Sequence, residues 1–179
     1  MGMSQKATGL SERGPQDYET PLALFKQLDA EFHFTVDAAA DAENSLCERY
    51  WDEEMDGLAQ DWSSERVFCN PPFGTAKFWA AKASADNGLA VLLVPAAIDT
   101  RWWHEGVVLG ASEVRFIAGR VNYGIAGEAG KIGLPMACAV VVWSPKEYGP
   151  PRVRWAVSWS PGRLRGWTDG LAAEGLTPL

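Results

Sequence analysis

The sequence predicts an α/β domain built on an open, mostly parallel sheet that is flanked by helices and finishes in an antiparallel edge. Strand-like and helix-like patterns alternate through the first two-thirds of the 179 residues, and strand-like patterns dominate after residue 113. A content of 47% hydrophobic and 22% charged residues is typical of a globular chain that is long enough to bury one core.

The first predicted element is an amphipathic helix over 21–31. Thr20 is a favourable N-cap residue and Pro21 suits a first turn. Apolar residues then recur at helical spacing, as Leu22, Phe25, Leu28 and Phe32. The polar residues before this helix show no periodicity, so we expect 1–17 to form a flexible arm, 18–160 the folded domain and 161–179 a C-terminal tail.

The remaining elements follow from the same patterns. Short apolar or alternating runs predict strands over 32–36, 66–69, 89–94, 113–117, 120–123, 137–143 and 153–159. Helical spacing predicts helices over 75–87 and 101–111, and a further helix over 43–50.

Several classes of protein are disfavoured by composition. No apolar run reaches the length of about 20 residues that crosses a bilayer, and the N-terminus lacks the apolar stretch of a secretory signal. We therefore expect a soluble protein that stays in the cytoplasm. Three widely spaced cysteines and two histidines do not form a metal-binding pattern, so we expect no metal.

Charge is unevenly distributed along the chain. The net charge of −7 comprises −10 over residues 1–100 and +3 over residues 101–179. A polyanion would therefore meet the C-terminal half, although an acidic surface that merely aids solubility explains the same balance.

The tetrapeptide Asn70-Pro71-Pro72-Phe73 ends a buried strand and precedes a glycine and a helix. In open α/β sheets, ligands bind at the carboxyl ends of strands, and two prolines stiffen the turn while leaving its carbonyls as acceptors. The Asn70 oxygen and the Pro71 carbonyl can each accept one hydrogen of an exocyclic amine, and Phe73 offers a face for a flipped-out base. An ordinary Asn-Pro-Pro loop is the alternative.

These residues match the (Asp/Asn/Ser)-Pro-Pro-(Tyr/Phe) motif of amino-methyltransferases, and residues 17–143 resemble the bacteriophage Dam-type DNA N6-adenine methyltransferase family. Segments that carry the resemblance in order are 18–21, 34–40, 57–62, 67–74, 93–96, 99–104 and 114–117. The resemblance implies a Rossmann-like methyltransferase that uses S-adenosylmethionine to methylate adenine N6 in DNA. It also implies a viral source and a role in protecting viral DNA from restriction, within the host cytoplasm.

The resemblance implies catalytic roles for Asn70, Pro71, Pro72 and Phe73. Cofactor contacts are expected from Tyr18, Thr20, Asp37, Ala38, Asp61 and Asn70, with Asp37 near the cofactor ammonium. Capping or packing roles remain open for Tyr18, Thr20 and Asp37. Asp37-Ala38-Ala39-Ala40 replaces the usual glycine-rich turn, and the short spacing from Asp37 to Asn70 leaves Asp56 or Asp61 to replace the ribose-binding carboxylate.

DNA is the expected partner. Candidate substrate or DNA contacts are Phe73, Asp99, Arg101, Arg120, Tyr123 and Lys131, the last three of them around a glycine-rich connection between strands that an ordinary hairpin also explains. Alternative functions are methylation of cytosine N4, RNA or a protein glutamine amide. A nucleic-acid-binding relative without catalysis also remains open because the glycine-rich turn is missing. Oligomeric state and DNA recognition sequence are not predicted.

Overall fold

The computed structural model describes residues 18–86, 88–124 and 135–144, and the backbone of 125, 128–133, 152–156, 159–160, 163–164 and 167–169. The predicted N-terminal arm lies outside the described residues. In chain order, the helices and strands are α1 (Leu22–Phe32), β1 (Val36–Asp37), β2 (Arg66–Cys69), α2 (Ala76–Ala85), β3 (Leu89–Pro95), a π-helix (Trp103–Val108), β4 (Glu113–Phe116), β5 (Asn122–Ile125), β6 (Glu128–Gly133), β7 (Cys138–Trp143), β8 (Arg152–Ala156), β9 (Trp159–Ser160), β10 (Arg163–Leu164) and β11 (Trp167–Asp169).

Seven of the described strands form one sheet in the order β1-β2-β3-β7-β4-β8-β11. Strands β1, β2 and β3 pair in parallel, and β7 lies antiparallel between β3 and β4. β4 pairs in parallel with β8, and β11 is an antiparallel edge strand. The mixed α/β sheet agrees with the prediction. An antiparallel strand inside the sheet, and a strand at Trp167–Asp169 within the expected C-terminal tail, do not.

Helices cover both faces of this sheet. The apolar side of α1 packs on one face, against the cluster that contains Phe68, Val91 and Val140. The opposite face packs against α2 and the π-helix through side chains such as Trp79 and Trp103. Burial on both faces explains why β3 is apolar throughout its length. Within the described residues, no helix is long and apolar enough to cross a membrane.

The chain between β1 and β2 contains no helix, so the expected helix over 43–50 is wrong. The Asp41 carboxylate accepts hydrogen bonds from the backbone N–H groups of Glu43 and Asn44, at 2.8 and 3.1 Å. The Asn44 side-chain oxygen accepts the Asp41 N–H in return, at 3.0 Å. Such local side-chain bonds offer the backbone an alternative to helical hydrogen bonding, and here they form a turn.

A buried arginine ties α1 to the sheet. Arg115 on β4 is fully buried, and its guanidinium donates to both carboxylate oxygens of Glu31 at the end of α1, at 2.5 and 2.7 Å. Its Nε donates to the buried Glu113 carboxylate at 2.6 Å, and its guanidinium lies 4.9 Å from the Phe32 ring centroid. Removing one partner from a buried ion pair leaves the remaining charge poorly compensated.

We therefore expect Arg115→Ala to lower the free energy of unfolding by about 3–5 kcal/mol. Arg49→Ala breaks the more exposed Arg49–Glu65 pair and should cost no more than about 1 kcal/mol. Urea denaturation of both variants measures the difference. Equal losses in the two variants would contradict the role assigned to Arg115.

Candidate functional site

The site begins with the register between β1 and its parallel neighbour β2. Val36 lies opposite Val67 and Asp37 opposite Phe68, and the Ala38 N–H donates to the Phe68 carbonyl at 2.8 Å. Both strands then end at the same edge of the sheet, because parallel strands point in one direction. This register places the residues after β1 beside Asn70, which follows β2.

The side-chain amide of Asn70 forms a hydrogen bond through its nitrogen, but its oxygen has no partner among the described residues. Its Nδ2 donates to the Tyr18 carbonyl at 2.5 Å. Its Oδ1 is buried and has no hydrogen-bond partner in the described part of the chain. An unmet buried acceptor costs about 1–3 kcal/mol, so this oxygen marks a place where a hydrogen-bond donor would bind. The neighbouring Pro72 carbonyl is already used, since it accepts from both the N–H and the hydroxyl of Thr75.

Three aromatic rings form a cluster around the tetrapeptide. The Phe73 ring centroid lies 5.5 Å from that of Tyr18 and 5.7 Å from that of Tyr123, and the two tyrosine centroids are 5.6 Å apart. Tyr123 is fully buried, and its hydroxyl donates to the Cys138 sulfur at 3.2 Å. Tyr123 therefore supports Phe73 from within the core, and this burial corrects its prediction as a DNA contact.

Residues 18–20, here called the N-terminal strap, cross the site before α1 begins. Glu19 and Gly124 exchange two backbone hydrogen bonds, both 3.0 Å long, which join the strap to β5. The cap position of α1 is Pro21 rather than the expected Thr20, and it makes no side-chain cap bond. Thr20 instead lines a cavity.

Two adjoining cavities open at this edge. The first is lined by Tyr18, Glu19, Thr20, Asp37, Ala39, Ala40, Asn44, Leu46, Phe68, Asn70 and Pro72. The second is the larger and is lined by Ala38, Ala39, Ala40, Asp41, Asn44, Trp51, Asp52, Glu53, Glu54, Asp56, Gly57, Pro72 and Trp79. The four residues common to both linings are Ala39, Ala40, Asn44 and Pro72.

Asp37 is a buried carboxylate in the first cavity, with 4% of its surface exposed. Burial raises its pKa to about 7, and the backbone N–H groups of Leu46 and Ala39 offset part of that rise. The Leu46 N–H lies 3.2 Å from its Oδ2. A carboxyl group with this pKa changes charge near neutrality, and a bound cation would favour its ionised form.

Glycine is required where residues 57–62 approach the turn after β1. A Cβ atom on Gly57 would lie 2.2 Å from the Ala38 carbonyl oxygen and about 3.1 Å from the Trp79 ring. The Gly57 carbonyl also accepts a hydrogen bond from the Trp62 indole at 2.9 Å. Gly57 and the preceding Asp56 both line the second cavity.

The structure distinguishes between Asp56 and Asp61, the two candidate replacements for the ribose-binding carboxylate. Asp56 lines the second cavity. Asp61 is exposed and lines neither cavity, and its carboxylate accepts the Ser63 N–H at 2.9 Å. The fold therefore does not place Asp61 at the site where we expected it to contact the cofactor.

Sequence reasoning missed Glu19, Asn44, Leu46 and Phe68 as lining residues. Asn44 and Leu46 enter the site through the turn that replaced the expected helix, so no periodic pattern could have revealed them. Phe68 could have been found from the strand register, since it lies opposite Asp37.

The family model for the Dam DNA N-6-adenine-methyltransferase matches residues 8–157. The chain belongs to this family. A curated relative, the "DNA N-6-adenine-methyltransferase" of Escherichia phage T1, is 28% identical over 109 residues. That match covers 58% of this chain and 46% of the relative, so the chain spans about half the length of that protein.

In this Dam-family chain, the remaining residues that were predicted to contact DNA follow β3 and β4. The carboxyl ends of these two strands lie at the same edge of the sheet as the cavities. Asp99, Arg101 and Arg120 are exposed there and line neither cavity. Arg101 forms an ion pair with Glu105 at 2.6 Å. The side chain of Lys131 lies outside the described residues. No group of three His, Cys, Asp or Glu residues that could hold a metal occurs in the described part of the Dam-family chain.

The raised pKa of Asp37 predicts a pH dependence of stability. The folded protein holds this proton up to about pH 7, whereas the unfolded chain releases it near the ordinary value of 3.8, so stability falls as pH rises between these values. Asp37→Asn removes this loss. Its free energy of unfolding relative to the native protein should therefore increase between pH 4 and pH 8, by up to about 4 kcal/mol.

Urea denaturation of both proteins across this pH range measures the difference, in which the other titrating groups largely cancel. A difference that stays constant, or that decreases with rising pH, would contradict the burial of a titrating Asp37.

Proposed function

We propose that the protein is an S-adenosylmethionine-dependent methyltransferase that methylates the N6 amine of adenine in DNA, with a Rossmann-like domain. The observation that carries the proposal is the buried Asn70 Oδ1, which follows a parallel strand and has no hydrogen-bond partner among the described residues. Membership of the Dam family and the name of the phage T1 relative support the reaction and its substrate. Parallel strands with helices on both faces, and cavities at their carboxyl ends, support the domain type.

The residues at the cavities fit S-adenosylmethionine. Asp37 offers a buried carboxylate to the ammonium group of the methionine part. Asp56, with its neighbours along the second cavity, offers carboxylates to the ribose hydroxyls. The small side chains of Ala38, Ala39 and Ala40 allow close approach to the backbone where a glycine-rich turn is usual. S-adenosylmethionine would place its methionine part in the first cavity and its ribose in the second, across the residues that line both.

Tyr18 and Thr20 are proposed to close the first cavity over the methionine part. The strap holds both residues at the lining through its backbone bonds to β5, rather than through a helix cap. This arrangement favours ligand contact over the capping role that the sequence left open for Thr20.

When bound, S-adenosylmethionine would supply an electrophilic methyl group to the amine, and the amine would lose one proton to solvent. Asn70 Oδ1 would accept one amine hydrogen and the Pro71 carbonyl the other, which aims the nitrogen lone pair. Preorganised acceptors of this kind stabilise the positive charge that develops on the nitrogen in the transition state. Phe73, backed by Tyr18 and Tyr123, would stack on the flipped base.

DNA is proposed to approach the edge where β1 to β4 end. Arg101 and Arg120 are exposed at this edge and can meet phosphates. The acidic second cavity repels phosphate and suits the cofactor side instead. The chain's negative net charge is therefore compatible with a DNA substrate.

The central experiment incubates unmethylated duplex DNA with the protein and labelled S-adenosylmethionine, followed by nucleoside mass spectrometry. The expected product is N6-methyladenine. In Asn70→Ala we expect methyl transfer to fall at least about 100-fold, the scale seen when one preorganised polar group is removed from a transition state. Asn70 lines the first cavity, but the proposed ammonium contact is with Asp37, so cofactor affinity measured by calorimetry should stay within about threefold.

Methylcytosine as the product would overturn the adenine assignment, and absence of cofactor binding would overturn the enzyme assignment. Native-like activity of Asn70→Ala would overturn the role of this side chain.

Phe73 and Phe78 form a matched pair for testing the stacking role. Phe73 lies in the aromatic cluster, whereas Phe78 on α2 is 53% exposed and outside it. Base–aromatic stacking contributes about 1–3 kcal/mol, so Phe73→Ala should reduce kcat/KM for DNA about 5-fold to 150-fold. Phe78→Ala should leave it within about twofold. Steady-state methylation assays measure both, and equal effects would argue against base stacking on Phe73.

A further inference from the structure

The orientation of the Asn70 amide is fixed by a group that lies 52 residues earlier in the chain. The Tyr18 carbonyl faces Asn70 at 2.5 Å, and a carbonyl oxygen can only accept a hydrogen bond. Nδ2 must therefore point toward Tyr18, because an amide oxygen in its place would face another oxygen. Since the amide is planar, Oδ1 is held on the other side, where it is buried without a partner in the described residues.

The Tyr18 carbonyl is itself held by contacts that do not involve Asn70. The next residue, Glu19, exchanges two 3.0 Å backbone hydrogen bonds with Gly124. The Tyr18 ring packs against Phe73 and the fully buried Tyr123. The strap thus fixes the carbonyl before any ligand binds.

We propose that the Tyr18 carbonyl is a positioning group that sets the Asn70 amide and makes this protein depend on an amide at position 70. This inference rests on the proposed function, in which Asn70 Oδ1 accepts a hydrogen from the target amine. The matching motif admits aspartate at this position, but an ionised carboxylate here would place an unprotonated oxygen against the Tyr18 carbonyl. A protonated carboxyl group would satisfy both sides, since its O–H donates to Tyr18 and its other oxygen faces the amine.

The surroundings favour the protonated form of such a carboxyl group. The titratable groups that face position 70 across the first cavity are Tyr18 and Glu19 from the strap and Asp37 from β1. Cys69 precedes it on β2, and Tyr123 packs behind the strap. No lysine or arginine is among the described lining residues of this cavity. A carboxylate at position 70 would therefore find no compensating cation among these side chains and would be disfavoured by burial.

The first experiment measures single-turnover methylation by Asn70→Asp and Asn70→Ala between pH 6 and pH 9 at saturating S-adenosylmethionine. Each rate is divided by the rate of the native protein at the same pH, so that titration of Asp37 cancels. For Asn70→Asp we expect this ratio to fall about tenfold per pH unit above the pKa of the new carboxyl group. For Asn70→Ala we expect a low ratio that does not change with pH.

Two outcomes would overturn the proposal. One is Asn70→Asp working as fast as the native protein at pH 9, and the other is a ratio that is independent of pH. Calorimetric binding of S-adenosylmethionine by each variant separates these outcomes from a misfolded pocket, because a variant that binds the cofactor normally has kept its fold.

The second experiment does not depend on activity. In ¹⁵N-labelled protein, one of the two Asn70 side-chain amide protons should exchange with water at least about tenfold more slowly than the other, because it is bonded to Tyr18. Glu19→Pro removes the backbone N–H that anchors the strap, and Glu19→Ala keeps it while also removing the carboxylate. The slow proton should be lost in Glu19→Pro and kept in Glu19→Ala, and methylation should be at least about tenfold lower in Glu19→Pro than in Glu19→Ala.

Equal exchange of both Asn70 protons in the native protein would overturn the positioning role, whatever the activity. A slow proton in a native protein that methylates no DNA would instead overturn the proposed function and leave the hydrogen bond to Tyr18 standing. The failure of one inference is thereby distinguished from the failure of the other.

Discussion

The parallel pairing of β1 with β2 is the constraint on which the rest of the site depends. It extends over two residue pairs and the Ala38–Phe68 hydrogen bond, yet it sets which residues meet at the edge of the sheet. A shift by one residue would turn Asp37 to the opposite face of the sheet and Val36 toward the cavity. The buried carboxylate, the row of alanines and the amide of Asn70 share one edge because this register is kept.

The energetics of the site follow from that constraint. Burial of Asp37 and of Asn70 Oδ1 costs folding free energy, since one is a carboxylate whose pKa is raised to about 7 and the other an acceptor without a partner among the described residues. Such costs are tolerated because the surrounding clusters are well packed on both faces of the sheet. A ligand that brings a cation to one group and a hydrogen-bond donor to the other would recover part of this free energy as binding.

Elements that depend on local periodicity could be predicted from the sequence, and contacts between distant segments could not. The apolar spacing of α1 and the continuous apolar run of β3 place both elements within one residue of their observed ends. The turn over 41–46 was missed because side-chain bonds of Asp41 and Asn44 outcompete helical bonds, which a count of apolar residues does not register. The insertion of β7 between β3 and β4 was missed because pairing order leaves no mark in the pattern of either strand.

The same distinction explains the site. The tetrapeptide is recognisable because its residues are consecutive in the sequence, but its Asn70 amide is hydrogen-bonded to a strap more than 50 residues away. Thr20 had an ordinary local explanation as a helix cap, and Tyr123 had one as part of a hairpin connection. Tertiary packing replaced both explanations, since the strap carries Thr20 to the cavity wall and the core buries Tyr123 behind Phe73. A short motif can therefore indicate which atoms react, while the groups that hold those atoms in place emerge only when distant segments are brought together.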